Sequence, residues 1–101
     1  MAEVHAIAIF RVKPGRYADL FEAIRPAKRA LERAGATVSV VRQEIGAETG
    51  SVVVVSRYSD WNAWLKARVD QEFTRAREAM RNNPNPPFDS ITTAVFEEVA
   101  L

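Results

Sequence analysis

The sequence predicts one α+β domain, residues 1–101, in which two helices cover a four-stranded antiparallel sheet. Three observations predict this class. A chain of 101 residues has room for one hydrophobic core. Short apolar segments alternate with segments of helical period in the order β-α-β-β-α-β. No linker, internal repeat or low-complexity tract divides the chain into smaller units.

The first strand is predicted over Val4–Val12, which is almost continuously apolar and too short for a buried helix. A helical period begins at Tyr17, and Pro26 interrupts it. A proline inside a helix removes a hydrogen bond and costs ~3 kcal/mol. We therefore expect a kink or break near Arg25, with Pro26 at the start of a second short helix. Gly35 suits the C-terminal cap.

The second and third strands are predicted over Thr37–Ile45 and Val52–Tyr58, with the turn 46–50 between them. Four consecutive valines favour the third strand, because branching at Cβ suits a pleated surface. Ser59 or Asp60 can accept hydrogen bonds from the first free amides of the next helix.

The second helix is predicted as one continuous segment, because apolar residues recur along one of its sides. They are Trp61, Trp64, Leu65, Val69, Phe73, Ala76 and Met80. The proline-rich segment 82–87 cannot continue a helix and is predicted to be a loop. A last strand is predicted over Ser90–Val99.

Right-handed crossovers arrange these elements as a ferredoxin-like sandwich with the antiparallel sheet order 4-1-3-2. The helices cover one face of that sheet, yet both faces of its two central strands are apolar. One face carries Val4, Ala6, Ala8, Phe10, Val52 and Val54, and the other carries Ile7, Ile9, Val53 and Val55, so whichever face the helices leave uncovered exposes an apolar patch. Such a patch is larger than monomers usually expose. We therefore expect two copies to pack sheet on sheet as a homodimer.

Composition narrows the choice of partners and location. The 14 basic and 13 acidic residues leave a net charge of +1, so no global field favours nucleic acid or an anionic membrane. The chain has no cysteine, which excludes disulfides, thiolate zinc sites and a cysteine nucleophile. No signal-peptide pattern and no apolar run of about 18 residues is present, so we expect a cytoplasmic protein without membrane contact.

At the level of motifs, the chain resembles the dimeric α/β-barrel superfamily, in particular its NIPSNAP-like and antibiotic-biosynthesis-monooxygenase-like families. The likeness rests on Lys13-Pro14-Gly15, Gly35, the turn Gly46 to Gly50, Val52 to Val55, Tyr58, Asp60 and Trp61. It implies two ferredoxin-like protomers paired as a barrel. In monooxygenase-like members, Asn, Trp, Tyr and Arg side chains line a pocket for the cofactor-free oxygenation of polycyclic phenols. The haem-binding histidine of haem-degrading relatives is absent here, so no cofactor is expected.

Six residues are candidates for ligand binding: His5, Arg57, Tyr58, Trp61, Asn62 and Trp64. The imidazole of His5 could act as a general base or a ligand, or be a hydrogen-bonded structural group at a strand end. The two indoles could line an apolar pocket or be part of the core stripe of their helix. One histidine without cysteine argues against a metal site, with Glu and Asp left open as ligands.

The basic residues of the helices are interpreted as a solvated surface. In the second helix Arg68, Arg75 and Arg77 are interleaved with acidic residues, several of them at ion-pairing helix spacings, which is typical of an exposed face. RNA binding by this fold would need exposed aromatic residues on the central strands, where the third strand has valines.

Two functions remain open from the sequence. One is a homodimer that binds a small apolar or aromatic ligand, with cofactor-independent monooxygenase as its enzymatic form. The alternative is a non-catalytic homodimeric interaction module. An open cavity of a few hundred Å³ lined by the candidate aromatics favours binding, and a sealed interior favours the module.

Overall fold

The computed structural model describes residues 2–101, which form four strands and three helices. The strands are β1 (Val4–Val12), β2 (Thr37–Arg42), β3 (Val52–Tyr58) and β4 (Phe88–Glu97); the helices are α1 (Tyr17–Arg33), α2 (Trp61–Arg68) and α3 (Gln71–Arg81). All neighbouring strands are antiparallel, in the order β2-β3-β1-β4. The predicted sheet order and ferredoxin-like arrangement are confirmed.

The loop that joins β2 and β3 is longer than predicted. The backbone N–H of Gln43 donates to the carbonyl of Ser51 at 2.9 Å, and that of Gly50 donates to Gln43 at 2.8 Å. These bonds close a loop that takes up Glu44 and Ile45, so β2 ends three residues earlier than expected. The last strand is displaced by two residues at each end, to 88–97.

Helix α1 is continuous through Pro26, so the predicted break near Arg25 is wrong. Its proline is exposed, whereas the opposite side of the helix holds three large buried side chains: Leu20, Ile24 and Leu31. Burial of such a side chain contributes about 1.5–3 kcal/mol, and the three together exceed the ~3 kcal/mol cost of the proline. Packing therefore keeps the helix whole.

The predicted C-terminal cap of α1 is confirmed at Gly35, whose φ of 102° suits a residue without Cβ. The N–H of Gly35 donates to the carbonyl of Glu32, and the N–H of Ala36 donates to that of Leu31, both at 3.0 Å. This pair of bonds is the Schellman arrangement, which satisfies the last free carbonyls of a helix.

The second predicted helix is two helices, so its prediction as one segment is wrong. The break lies at Val69 and Asp70, where the Asp70 carboxylate accepts a hydrogen bond from the N–H of Phe73 at 2.9 Å and caps α3. Val69 is 69% exposed and adds nothing to the core that would hold one straight helix. The predicted cap at Asp60 is confirmed by its bond from the N–H of Ala63 at 2.8 Å.

The core lies between the helices and one face of the sheet. It has two parts, one around Val4 and Tyr58 beneath α2 and one around Phe10 and Val52 beneath α1. Alternate residues of the central strands point into it, so the residues between them point to the other face. None of the described helices is long and apolar enough to cross a membrane.

The other face of the sheet is left without a helix among the described residues, and we call it the open sheet face. The Cα atoms span only 16 Å in the thinnest direction, which fits one sheet and one helix layer. Apolar side chains of the open sheet face are Ile7, Ile9, Val41, Val53, Val55 and Phe96. Its predicted apolar character is therefore confirmed, with Val41 49% and Phe96 52% exposed.

Candidate functional site

The six candidate residues lie on two sides of the sheet and do not form one cluster. His5 and Arg57 are opposite each other on β1 and β3, on the open sheet face. Tyr58 and Trp64 belong to the core on the helix side. Asn62 is exposed in the first turn of α2. A single pocket within one chain therefore cannot use all of them.

His5 lies at one end of the open sheet face beside two carboxylates. Its Nε2 is 2.9 Å from Oε1 of Glu3, and both side chains are partly exposed. A ring nitrogen of His5 and a carboxylate oxygen from each of Glu3 and Glu98 all lie within 4.8 Å of one another. Imidazole and carboxylate are ligands that divalent transition metals accept. Among the described residues this trio is therefore the group that could hold a metal ion, which the sequence did not predict.

The phenol of Tyr58 is a core group. Its side chain is only 4% exposed, and its hydroxyl donates a hydrogen bond to Oγ of Ser56 at 3.1 Å. Burial raises the pKa of Tyr58 above its ordinary value, because the phenolate would lose its hydration. The hydroxyl thus has a partner within the protein and little access for a ligand.

The two tryptophans have different environments although they pack against each other. Their rings are 5.5 Å apart in an edge-to-face arrangement. Trp64 packs against the core, whereas Trp61 is 45% exposed. Nε1 of Trp61 donates a hydrogen bond to Oε2 of Glu97 at the end of β4, at 2.5 Å. Trp61 is therefore the aromatic candidate that offers surface to a ligand.

Trp61 stands beside the end of β4, a strand whose helix-side residues stay partly exposed. Ile91 and Val95 are opposite Phe10 and Ala6 of β1, so they face the helix side. They remain 42% and 41% exposed. These residues stay exposed because of the strand order. The chain between β3 and β4 crosses over β1, so its helices lie above β1 and leave the edge strand β4 uncovered. We call this uncovered surface the β4 groove, with Ile91, Thr93 and Val95 as its floor.

Arg77 of α3 has an environment that its sequence position did not predict. It was assigned to a solvated helix face, but its Nε is buried and makes no hydrogen bond within residues 2–101. Its guanidinium lies over the ring of Phe73, 5.5 Å from the centroid. Burial lowers the pKa of Arg77, and the charges of Arg68 and Arg81 lower it further. Its spacing of four from Phe73 is the signal that places it near the core side.

Two cavities of the described residues lie away from Trp61, Ile91 and Val95. One, of about 250 Å³, is an apolar groove where α1 and α3 meet the start of β4; it is lined by Ala23, Pro26, Ala76, Ala79, Met80, Asn83, Pro87 and Phe88. The other, of about 270 Å³, lies by the β2–β3 hairpin; it is lined by Arg11, Val12, Tyr17 and residues 47–51. Neither is lined by any of the six candidates, so neither is the aromatic pocket expected from the sequence.

These elements define a ferredoxin-like α+β protein with one open sheet face and a groove along its edge strand. Solved structures share this fold. SnoaB, a cofactor-independent oxygenase from Streptomyces nogalater, superposes with a TM-score of 0.75 at 16% identity, over 100% of this chain and 97% of that one. Rv0793 from Mycobacterium tuberculosis has a TM-score of 0.73 at 15% identity, over 98% and 97%.

A NIPSNAP-like domain protein from Burkholderia xenovorans has a TM-score of 0.65 at 14% identity, over 97% of this chain and 86% of that one. The predicted likeness to both groups of proteins is therefore confirmed at the level of the fold. No protein-family model matches the sequence. No curated protein sequence matches it either.

Proposed function

We propose that this protein binds a small planar aromatic molecule in the β4 groove. The observation that carries the proposal is the exposed apolar floor of Ile91 and Val95 beside the half-exposed indole of Trp61. Apolar walls with few polar groups are typical of sites for small ligands. An indole adds a flat surface on which an aromatic ring can stack.

The enzymatic form of this proposal is oxygenation of the bound molecule without a cofactor. Support comes from the fold that the chain shares with SnoaB, a cofactor-independent oxygenase. One fold hosts many chemistries, so oxygenation also requires that the β4 groove binds the substrate. The substrate class to test is that of reduced quinones and polycyclic phenols, which are planar and react with molecular oxygen once deprotonated.

Binding is tested by thermal shift and by titration of tryptophan fluorescence with 1-naphthol and 9-anthrone, and oxygenation by oxygen uptake. Trp61→Ala should weaken binding by about tenfold, because it removes the stacking surface. Val69→Ala, at the more exposed α2–α3 break, removes an apolar side chain away from the groove; it is the control and should bind like wild type. Absence of binding to wild type, or equal binding by the Trp61 variant, contradicts the proposal.

We also propose that two copies pair through the open sheet face. Ile7, Ile9, Val53 and Val55 form its centre and lie in the two central strands. Burial of about 800 Å² per partner suits a stable dimer, and an apolar sheet face can supply it. Pairing is common to the ligand-binding protein and to the alternative, a non-catalytic homodimeric module, so the binding titration separates the two.

The oligomeric state is tested by light scattering at micromolar concentration. Val55→Glu places a carboxylate in the centre of the open sheet face and should give monomers, because an unpaired buried charge is costly. Val69→Glu changes an exposed valine of the helix layer in the same way and should leave the dimer intact. A wild-type monomer, or a dimer that survives Val55→Glu, contradicts pairing through this face.

A further inference from the structure

We propose that Glu3, His5 and Glu98 bind one divalent transition-metal ion at the end of the open sheet face. The site is independent of the proposed aromatic ligand, because Trp61 contacts the other side of the sheet through Glu97, which pairs with the core residue Val4. Three observations support the metal site. They are the register that brings the three side chains together, the donor atoms that these side chains offer, and the opposed charges of the two glutamates.

The three side chains share one face of the sheet because of the register between β1 and β4. His5 pairs with Phe96. The N–H of Glu98 donates to the carbonyl of Glu3 at 2.9 Å, so the same register continues beyond the strands and Glu3 is opposite Glu98. Glu3 and His5 are two residues apart and therefore point to the same face. Glu98 is the diagonal neighbour of His5 across the two strands, at a separation that long side chains span.

The donor atoms are close enough for one ion. The imidazole nitrogen and the two carboxylate oxygens lie within 4.8 Å of one another, and Nε2 of His5 is 2.9 Å from Oε1 of Glu3. A tetrahedral ion with bonds of about 2.1 Å holds its ligand atoms about 3.4 Å apart. Small side-chain rotations close the difference. Glu3 and His5 are partly exposed and Glu98 is exposed, which permits these rotations and gives an aqueous ion access.

The imidazole selects the kind of ion. Mg²⁺ and Ca²⁺ prefer oxygen ligands, whereas Zn²⁺ and its neighbours among the transition metals accept imidazole and carboxylate together. The ion takes the place of the proton between Nε2 of His5 and Oε1 of Glu3, because it binds imidazole only at a nitrogen without a proton. Three protein ligands leave one position of a tetrahedral ion to water.

The charges at this end of the sheet favour a bound cation. Glu3 and Glu98 are opposite each other on neighbouring chain segments, and like charges in such a pair are destabilising. Arg57 of β3 lies across from His5, yet no ion pair joins it to either glutamate within residues 2–101. A divalent ion between the two carboxylates would remove their repulsion.

The test is isothermal titration of the metal-free full chain with zinc chloride, in which wild type should bind one Zn²⁺ per chain. His5→Ala, Glu3→Gln and Glu98→Gln should each weaken binding by at least about tenfold, since even the loss of a residue behind a metal ligand costs about 10–100-fold. Glu97→Gln is the matched control, because Glu97 is adjacent in sequence and bonds to Trp61 on the other face. It should bind zinc within about twofold of wild type. Magnesium chloride at the same concentrations should give no binding.

The variants separate a three-residue site from a lone surface histidine. A lone histidine would lose zinc only in His5→Ala, so wild-type affinity in Glu3→Gln or Glu98→Gln overturns the inference. Absence of zinc binding by wild type, or equal binding of Mg²⁺, also overturns it.

Thermal unfolding guards against misfolded variants. Without metal, Glu98→Gln should unfold at no lower temperature than wild type, because one of two opposed charges is gone. Zinc should raise the unfolding temperature of wild type and Glu97→Gln more than that of Glu98→Gln, since a ligand stabilises the state that binds it. An equal rise in all three proteins contradicts the site. None of these results bears on the β4 groove, so the proposed function stands or falls by its own titration.

Discussion

Nε1 of Trp61 donates a hydrogen bond to Oε2 of Glu97 at 2.5 Å, and this contact joins the first turn of α2 to the last residue of β4. It fixes the indole at one end of the β4 groove and is a direct link between the helix layer and the edge strand. Both residues are exposed, so water competes for the same groups.

Loss of this bond should have a small effect on stability. Glu97→Ala should lower the free energy of unfolding by about 0.5–1.5 kcal/mol, the usual contribution of a hydrogen bond, with the lower end expected at an exposed site. Glu98→Ala, the next residue along the chain, is the control and should change it less. Urea unfolding followed by tryptophan fluorescence measures both. Equal effects of the two substitutions would mean that the bond contributes nothing.

The capping bond of Asp70 should contribute more. Asp70→Ala leaves the N–H of Phe73 without its acceptor and should cost about 1 kcal/mol, within a usual range of about 0.5–2. Asp70→Asn keeps an acceptor oxygen and should retain most of the stability. The exposed Asp89 of β4 supplies the control, Asp89→Ala. The midpoint of urea unfolding gives the order of the variants, and a neutral Asp70→Ala would refute the capping role.

Replacing Pro26 should stabilise the protein. Pro26→Ala gives α1 a backbone N–H that can donate to the carbonyl of Glu22 and removes a ring from the helix interior, where proline costs ~3 kcal/mol. A more flexible unfolded chain reduces the gain by about 0.4–1 kcal/mol. The net expectation is a higher melting temperature in calorimetry. Pro14→Ala, outside any helix, is the control and should lower the melting temperature slightly. A lower melting temperature of Pro26→Ala would show that Pro26 does not destabilise α1.

Tyr58 should make the protein less stable at high pH. Its folded-state pKa is raised by burial, so above pH 10 the unfolded chain releases a proton that the folded chain keeps. The stability from this group is present below its ordinary pKa of 10.0 and is lost as the pH rises through the folded value. Tyr58→Phe should remove this part of the alkaline loss. Urea unfolding at pH 8 and pH 10.5 measures it; identical pH dependence in both proteins would contradict the expectation.

The strands and their order could be predicted because local sequence and global topology agree. Val4 and Phe10 lie on one side of β1 and Ile7 on the other, and all are apolar, as a strand between two packed surfaces requires. The cap at Asp60 could also be predicted, because an aspartate directly before a helical period commonly accepts a hydrogen bond from the first free N–H groups. These signals are local and do not depend on distant residues.

The helix layer was harder to predict because its details depend on tertiary packing. At Pro26, the buried residues on the other side of α1 decide the outcome, and their burial is not visible in the local sequence. Val69 continues the apolar period but finds no core beneath it, so Asp70 begins a new helix. Arg77 was assigned by residue type to the surface, although its spacing from Phe73 places it near the core side.

Both faces of β1 and β3 are apolar at their centre, so the charged residues near the strand ends set the alignment of the two strands. Cross-strand pairs such as His5 with Arg57 and Ala8 with Val54 repeat along their length. Sliding one strand by a single residue would exchange its two faces and drive Arg11 or Arg57 beneath the helices. That misalignment would bury an unpaired charge, so Arg11 and Arg57 favour the observed register of the central pair.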